Sequence, residues 1–249
     1  MATHEEASAT GQGARVFATT RWSVVLMAGG STSAGSAAAL DKLCGTYWYP
    51  LYFFVRRHGL GPHDAEDLIQ AFFAFLLAKD VIARADRERG RFRTFLLSSL
   101  QNFQANERVR ANSQKRGGNQ TIVSFDELKA EARYQNEPAT NLTPERLFDQ
   151  KWAASLLEQA LQTLRREYVA AGKGPLFEEA HDRLWGGRGE VGYEAMGRKL
   201  GMTEGAIKVA VHRLRLRFKE CLQDEVSHTV ASPAEIDDEL RHLLASLSP

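Results

Sequence analysis

Apolar residues in this chain recur at the spacing of an α-helix in almost every segment, and that regularity confines it to an all-α architecture. From Asp64 onward, Ala65, Leu68, Ile69, Phe72 and Leu76 fall at i, i+3, i+4, i+7 and i+11, so they share one helical face. Phe92, Phe95, Leu96, Ser99 and Phe103 do the same within a helix predicted over 91–110. Residues 36–58 read as two helical pieces with a break or kink at Pro50, and "GLGPHD" after them is a turn. Thr143 is a suitable N-cap, Pro144 suits the first turn of the helix that follows, and Gly172 suits its end. No segment with strand periodicity is longer than "TIVSF", and there is no internal repeat.

A chain of 249 residues can hold one large domain or two small ones. The polar, Gly-bearing "ANSQKRGGNQ" suits a domain end, which favours two small helical domains joined by a flexible linker. The expected division is a disordered tail over 1–18, a first domain over 19–116, a linker over 117–143, a second domain over 144–224 and an extension over 225–249. The linker holds one short helix near "FDELKAEARY", and the extension a short amphipathic helix from about Pro233. Trp22, Val24, Val25 and Leu26 are expected to pack on the first domain.

The N-terminus has no apolar core or cleavage pattern, and the richest apolar run, "LIQAFFAFLLA", is too short to cross a bilayer. Cys44 and Cys221 lie far apart without CxxC spacing. These features predict a cytoplasmic protein with two free thiols and no membrane insertion.

Charge is nearly balanced, with 32 Lys and Arg against 31 Asp and Glu, but it is unevenly distributed. Residues 202–220 carry Lys208, Arg213, Arg215, Arg217 and Lys219 against Glu204 and Glu220 alone. In "YEAMGRKLGMTEGAIKVAVHRLRLRF" one short helix ends at Gly201, Thr203 caps the next, and Ala206 packs at its first turn. Ile207, Val211, Leu214 and Phe218 form the inward stripe. Lys208, His212, Arg215 and Lys219 repeat that spacing one residue on, and Arg213 and Arg217 widen the charged face. A solvated bundle face or a membrane-surface helix would carry similar charge. The Leu-Gly-Met-Thr turn and the small Gly205 and Ala206 favour close approach to a DNA groove instead.

This segment resembles the promoter-recognition helix-turn-helix of bacterial sigma factors of the extracytoplasmic-function group, within the sigma-70 family. The matching positions are Tyr193, Glu194, Met196, Leu200, Gly201, Met202, Thr203, Gly205, Ala206, Ile207, Lys208, His212 and Arg213. Ala210 stands where the family often has Arg. "DAEDLIQAFFAFLLAKD" is similar to the family helix that docks on the polymerase clamp, and "GRFRTFLLSSLQNFQANERVR" to the helix that reads and opens the downstream promoter element. The matched parts cover most of 36–112 and 150–222.

The resemblance implies a sigma region 2-like domain followed by a region 4-like, winged-helix-like four-helix domain. It implies core RNA polymerase and promoter DNA as partners, admits an anti-sigma factor or other regulator, and calls for no cofactor, metal ion or catalytic site. Clamp contacts fall to Asp64, Glu66, Asp67 and Gln70. Upstream-element contacts fall to Thr203, Glu204, Lys208, His212, Arg213 and Arg215. Downstream-element contacts fall to Arg91, Arg93, Gln101, Asn102, Asn106, Arg108 and Arg110.

The residues themselves support this division. The helix dipole favours carboxylates in a first turn, but three of them within four positions repel one another, so a cationic partner accounts better for the set. The cations from Arg84 to Arg116 suit phosphates, and the amides near Asn102 suit exposed base edges. Phe92, Phe95 and Phe103 fit core packing better than base stacking. A Mg²⁺-dependent nuclease would need a second acidic cluster, which is not evident, and "GGRGEVG" lacks the Lys-Ser/Thr of a phosphate loop. The rival reading is a helix-turn-helix repressor or activator that does not replace a sigma factor. The acidic "AEIDDELRHLLASL" helix, in one chain with a basic DNA helix, predicts an autoinhibitory role.

Overall fold

The first helix among the described residues, α1 (Ala34–Arg57), runs unbroken through Pro50. An interior proline costs a helix about 3 kcal/mol through its missing N–H and its ring clash. Tyr47, Trp48, Tyr49, Leu51, Tyr52, Phe53, Phe54 and Val55 are all at most 8% exposed. Each such side chain contributes about 1.5–3 kcal/mol on burial, so their sum decides the conformation and the predicted break does not occur.

The computed structural model describes residues 34–78, 91–113, 127–137, 140–185, 192–230 and 232–247. After α1 come α2 (Pro62–Ala78) and α3 (Phe92–Ser113), then α4 (Glu127–Gln135) and the long α5 (Pro144–Ala170). A short α6 (Gly174–Ala180) continues into a 3₁₀ turn over His181–Trp185, followed by α7 (Tyr193–Leu200) and α8 (Glu204–Ser227). A 3₁₀ turn at Pro233–Glu235 leads into α9 (Ile236–Leu247). The described residues are mostly helical and contain no strand, so no wing is present among them. "TIVSF", the predicted tail over 1–18 and the Trp22–Leu26 segment lie outside the described residues.

α5 organises the rest. Thr143 accepts a hydrogen bond from the Arg146 N–H and Pro144 occupies the first turn, as the sequence predicts. Its Leu147, Phe148, Trp152, Ala153, Leu156, Ala160 and Leu164 are buried, and α1, α8 and α9 all pack against it. Phe148 meets Phe54 edge-on with ring centroids 6.5 Å apart, and the Gln159 amide donates to Thr46 Oγ1 at 3.1 Å. One apolar cluster therefore runs from Leu43 on α1 through α5 to Leu243 on α9, shared by the two blocks that the sequence separates.

The predicted linker is partly structured. Its helix, α4, docks on α1: Glu131 takes the Arg56 guanidinium at 2.8 Å and the Tyr52 hydroxyl, and Tyr134 meets Phe53 edge-on at 5.3 Å. Arg133 lies 4.2 Å above the Tyr49 ring. These contacts fix α4 against the first block, so 127–137 is not a free connection.

Candidate nucleic-acid interface

The turn between α7 and α8 is built by three residues. Gly201 adopts φ 64° and ψ 30°, a left-handed conformation that L side chains disfavour. The N–H groups of Gly201 and Met202 both reach the Gly197 carbonyl, the latter at 2.8 Å. The Met202 carbonyl returns so close to Gly197 that a Cβ there would lie 2.5 Å from its oxygen. Thr203 then caps α8 by accepting from the Ala206 N–H at 3.2 Å. Gly197 is the residue that motif spacing overlooked, because its requirement comes from a backbone approach rather than from periodicity.

α8 has one buried and one open side. Ile207, Val211, Leu214 and Phe218 are 0–8% exposed, so the predicted stripe is the packed one. Glu204, Gly205, Lys208, Val209, His212, Arg213, Leu216 and Lys219 are exposed. Ala206 is exposed too, whereas its predicted place was in packing. A 24-residue helix is about 36 Å long, and from Cys221 to Val226 it is mostly buried, so its open face lies on residues 204–220.

Not every predicted cation on α8 faces outward. Arg215 donates from Nε and Nη2 to the Arg183 carbonyl at 2.9 and 2.7 Å, which satisfies a turn and removes it from the open face. Arg217 is held by Glu167 at 2.6 Å and Glu220 at 2.7 Å, and their carboxylates raise its pKa. Lys208 pairs with Glu204 at 2.7 Å, whose hydrogen bond raises the ammonium pKa. An exposed, solvent-screened pair of this kind is weak, so a phosphate can replace the carboxylate. Arg213 and Lys219 have no carboxylate partner among the described residues, and Thr203, Glu204 and His212 share their exposed side.

The acidic set on α2 divides as well. The helix begins at Pro62, so only Asp64 lies in its first turn, and the dipole argument applies to that residue alone. Asp64 and Asp67 are exposed and Gln70 is half-buried. Glu66 is 7% exposed and turned into the fold, where its charge adds the smallest contribution to a Tyr52 phenol pKa raised chiefly by burial and by the Glu131 hydrogen bond. The three carboxylates therefore do not form one outward patch.

On α3, Gln101, Asn102, Asn106 and Arg108 are exposed, while the side chain of Arg110 lies outside the described residues. Phe92 meets Tyr47 edge-on at 5.5 Å, and Phe103 packs on Phe72 and Phe75 at 5.7 and 5.0 Å, so these rings are core. Arg93 is drawn inward, and half-exposed Arg91 is engaged by carboxylates. Arg93 is 3% exposed, lies 4.4 Å over the Trp152 ring, and pairs with Asp149 at 3.0 Å and with Glu239. Arg91 pairs with Asp238 at 2.7 Å and Glu239 at 3.1 Å. Among the described residues, Asp238 and Glu239 of α9 thus pair with the start of α3 rather than with the basic helix α8. Burial raises the Glu239 carboxyl pKa against the pull of Arg93 and Arg91, and burial followed by both cations lowers that of His242.

Among the described residues no group of His, Cys, Asp and Glu could hold a metal ion, and no helix is long and apolar enough to cross a membrane. Cys44 and Cys221 are buried, and neither is joined in a disulfide. Comparison with protein-family models, curated proteins and solved structures finds no match to this chain.

Proposed function

We propose that this chain is a sigma factor of the extracytoplasmic-function type, which binds core RNA polymerase and directs it to promoters. The observation that carries the reading is the pairing of a tight Gly197–Gly201–Thr203 turn with an α8 that exposes Lys208, Arg213 and Lys219 on its open face. A helix with that turn behind it can enter the major groove with its first residues toward base edges. Lys208, Arg213 and Lys219 then meet phosphates, which position the helix, while Thr203, Glu204, Val209 and His212 lie where edges can be read.

The first block supplies the other half of the reading. Asp64 and Asp67 offer carboxylates to a cationic surface on the polymerase, with Gln70 beside them. Exposed amides at Gln101, Asn102 and Asn106, with Arg108, suit a separated strand, whose bases present their edges only after unpairing. By holding that strand the protein lowers the cost of opening the duplex, and polymerase performs the nucleotidyl transfer. A cytoplasmic site of action and a two-domain arrangement, with the α7–α8 unit presented to the upstream element, belong to this proposal.

Reconstitution with purified core polymerase tests it. The expected result is a stable complex that starts RNA synthesis at discrete sites without another sigma factor. A chain that binds DNA specifically but does not join core polymerase would instead be a helix-turn-helix repressor or activator.

A further inference from the structure

α9 brings Asp237, Asp238 and Glu239 in its own first turn, where the helix dipole favours negative charge. They meet Arg91 and Arg93 at the start of α3, where the dipole disfavours positive charge. Two helix N-termini therefore face each other across an ion-pair cluster that Asp149 and His242 complete, with His242 Nε2 3.6 Å from Asp149. The apolar attachment of α9 is slight by comparison: Leu243 is fully buried, Ile236, Leu240 and Leu247 are partly covered, and Leu244 is 60% exposed. A helix of 12 residues is marginal on its own, so detaching it and melting it are one event.

Arginine forks bind phosphate oxygens as readily as carboxylates. We propose that α9 is an intramolecular clasp that occupies Arg91 and Arg93 in place of nucleic-acid phosphates, and that its release frees the leading end of α3 for DNA. The DNA half of this statement rests on the function proposed above, while the clasp itself rests on the cluster geometry. Gln101, Asn102 and Arg108 stay exposed on α3 whether or not α9 is docked, so the clasp withholds only part of that helix's contacts. Binding by the intact protein should accordingly be weakened rather than abolished.

Two variants test the clasp: a chain ending at residue 231, and full-length Asp238→Asn/Glu239→Gln, which keeps the helix but removes its charge. Amide hydrogen exchange over 91–97 should speed up at least about tenfold in the truncated chain. The salt dependence of binding to a 30-base-pair duplex should steepen by about 0.9 in log–log slope as Arg91 neutralises one further phosphate, and by up to about 1.8 as Arg93 exchanges Asp149 for a second. The charge variant should move the same way by a smaller amount, which guards against a truncation that only disturbs folding. Unchanged exchange in both variants, or an unchanged slope where exchange has risen, overturns the clasp. Faster exchange and a steeper slope without promoter-directed transcription would leave the clasp standing and remove the sigma reading. Normal transcription with neither change would do the reverse.

Discussion

Gly197 and the carbonyl of Met202 are in such close approach that any side chain at 197 would collide with backbone 2.5 Å away. The colliding atom belongs to the turn itself, so relief requires α7 and α8 to move relative to each other. Gly197→Ala should cost about 1–3 kcal/mol, the range for overpacking, and lower the melting temperature by roughly 2–12 °C. Gly201→Ala is a contrast, since a Cβ there meets nothing within 4 Å and pays only for its left-handed backbone, about 1–2 kcal/mol. Thermal unfolding and duplex binding should separate the two. Gly197→Ala loses sequence-specific binding even below its melting temperature, while Gly201→Ala retains it in proportion to the folded fraction.

Arg213 and Arg215 are neighbours of the same type with opposite expected behaviour. Arg213 is exposed, without a carboxylate partner among the described residues, so Arg213→Ala should leave stability within about 0.5 kcal/mol. It should flatten the salt dependence of DNA binding by about 0.9 in log–log slope. Arg215→Ala removes two charge-assisted hydrogen bonds to the Arg183 carbonyl, so it should destabilise by about 1.5–3 kcal/mol with little change in slope. Urea unfolding beside a salt titration decides the assignment, and a flatter slope for Arg215→Ala would reverse it.

This difference marks what was legible in the sequence. The caps at Thr143 and Thr203, the left-handed Gly201 and the Ile207–Phe218 stripe depend on residues within one or two turns, and local spacing suffices to place them. Facing is different. Arg93 finds its partners at positions 149 and 239, Arg215 at 183, and Glu66 turns toward α1, so each was assigned a ligand from its charge while the fold had already used it. Pro50 follows the same rule, since the breaking tendency is local and the aromatic burial that overrides it is tertiary. Charge type suggested which residues could contact a partner, and long-range packing selected which of those charges remain on the surface.

Glu66 and Asp67 are adjacent on α2 and should now separate. Asp67→Lys changes an exposed carboxylate, so the fold should persist with stability changed by less than about 1 kcal/mol. Association with core polymerase should weaken by about 2–5 kcal/mol, the cost of breaking a pair desolvated on docking. Glu66→Lys places a cation at a site only 7% exposed and should unfold or severely destabilise the chain. Circular dichroism with a polymerase pull-down distinguishes these outcomes. A well-folded Glu66→Lys would show that this buried site tolerates a cation, and full binding by Asp67→Lys would remove α2 as the clamp contact.

Glu131 provides a prediction with a definite sign in pH. Burial alone would raise its carboxyl pKa, but hydrogen bonds from Arg56, Tyr52 and Gln135 outweigh this and hold it below the ordinary glutamate value. A folded-state pKa below the unfolded one means that ionised Glu131 stabilises the protein. The contribution is complete above the ordinary pKa and is lost as pH falls through the folded one. Glu131→Gln should therefore cost about 1.5–3 kcal/mol at about pH 7, the range for hydrogen bonds to a charged group. The gap from the parent chain should be smaller at about pH 3, below the ordinary glutamate value, because the charge contribution is lost progressively as pH falls toward the folded pKa. Urea unfolding of both chains at the two pH values measures it. A gap of equal size at both would mean that side-chain shape, and not the carboxylate charge, fastens α4 to α1.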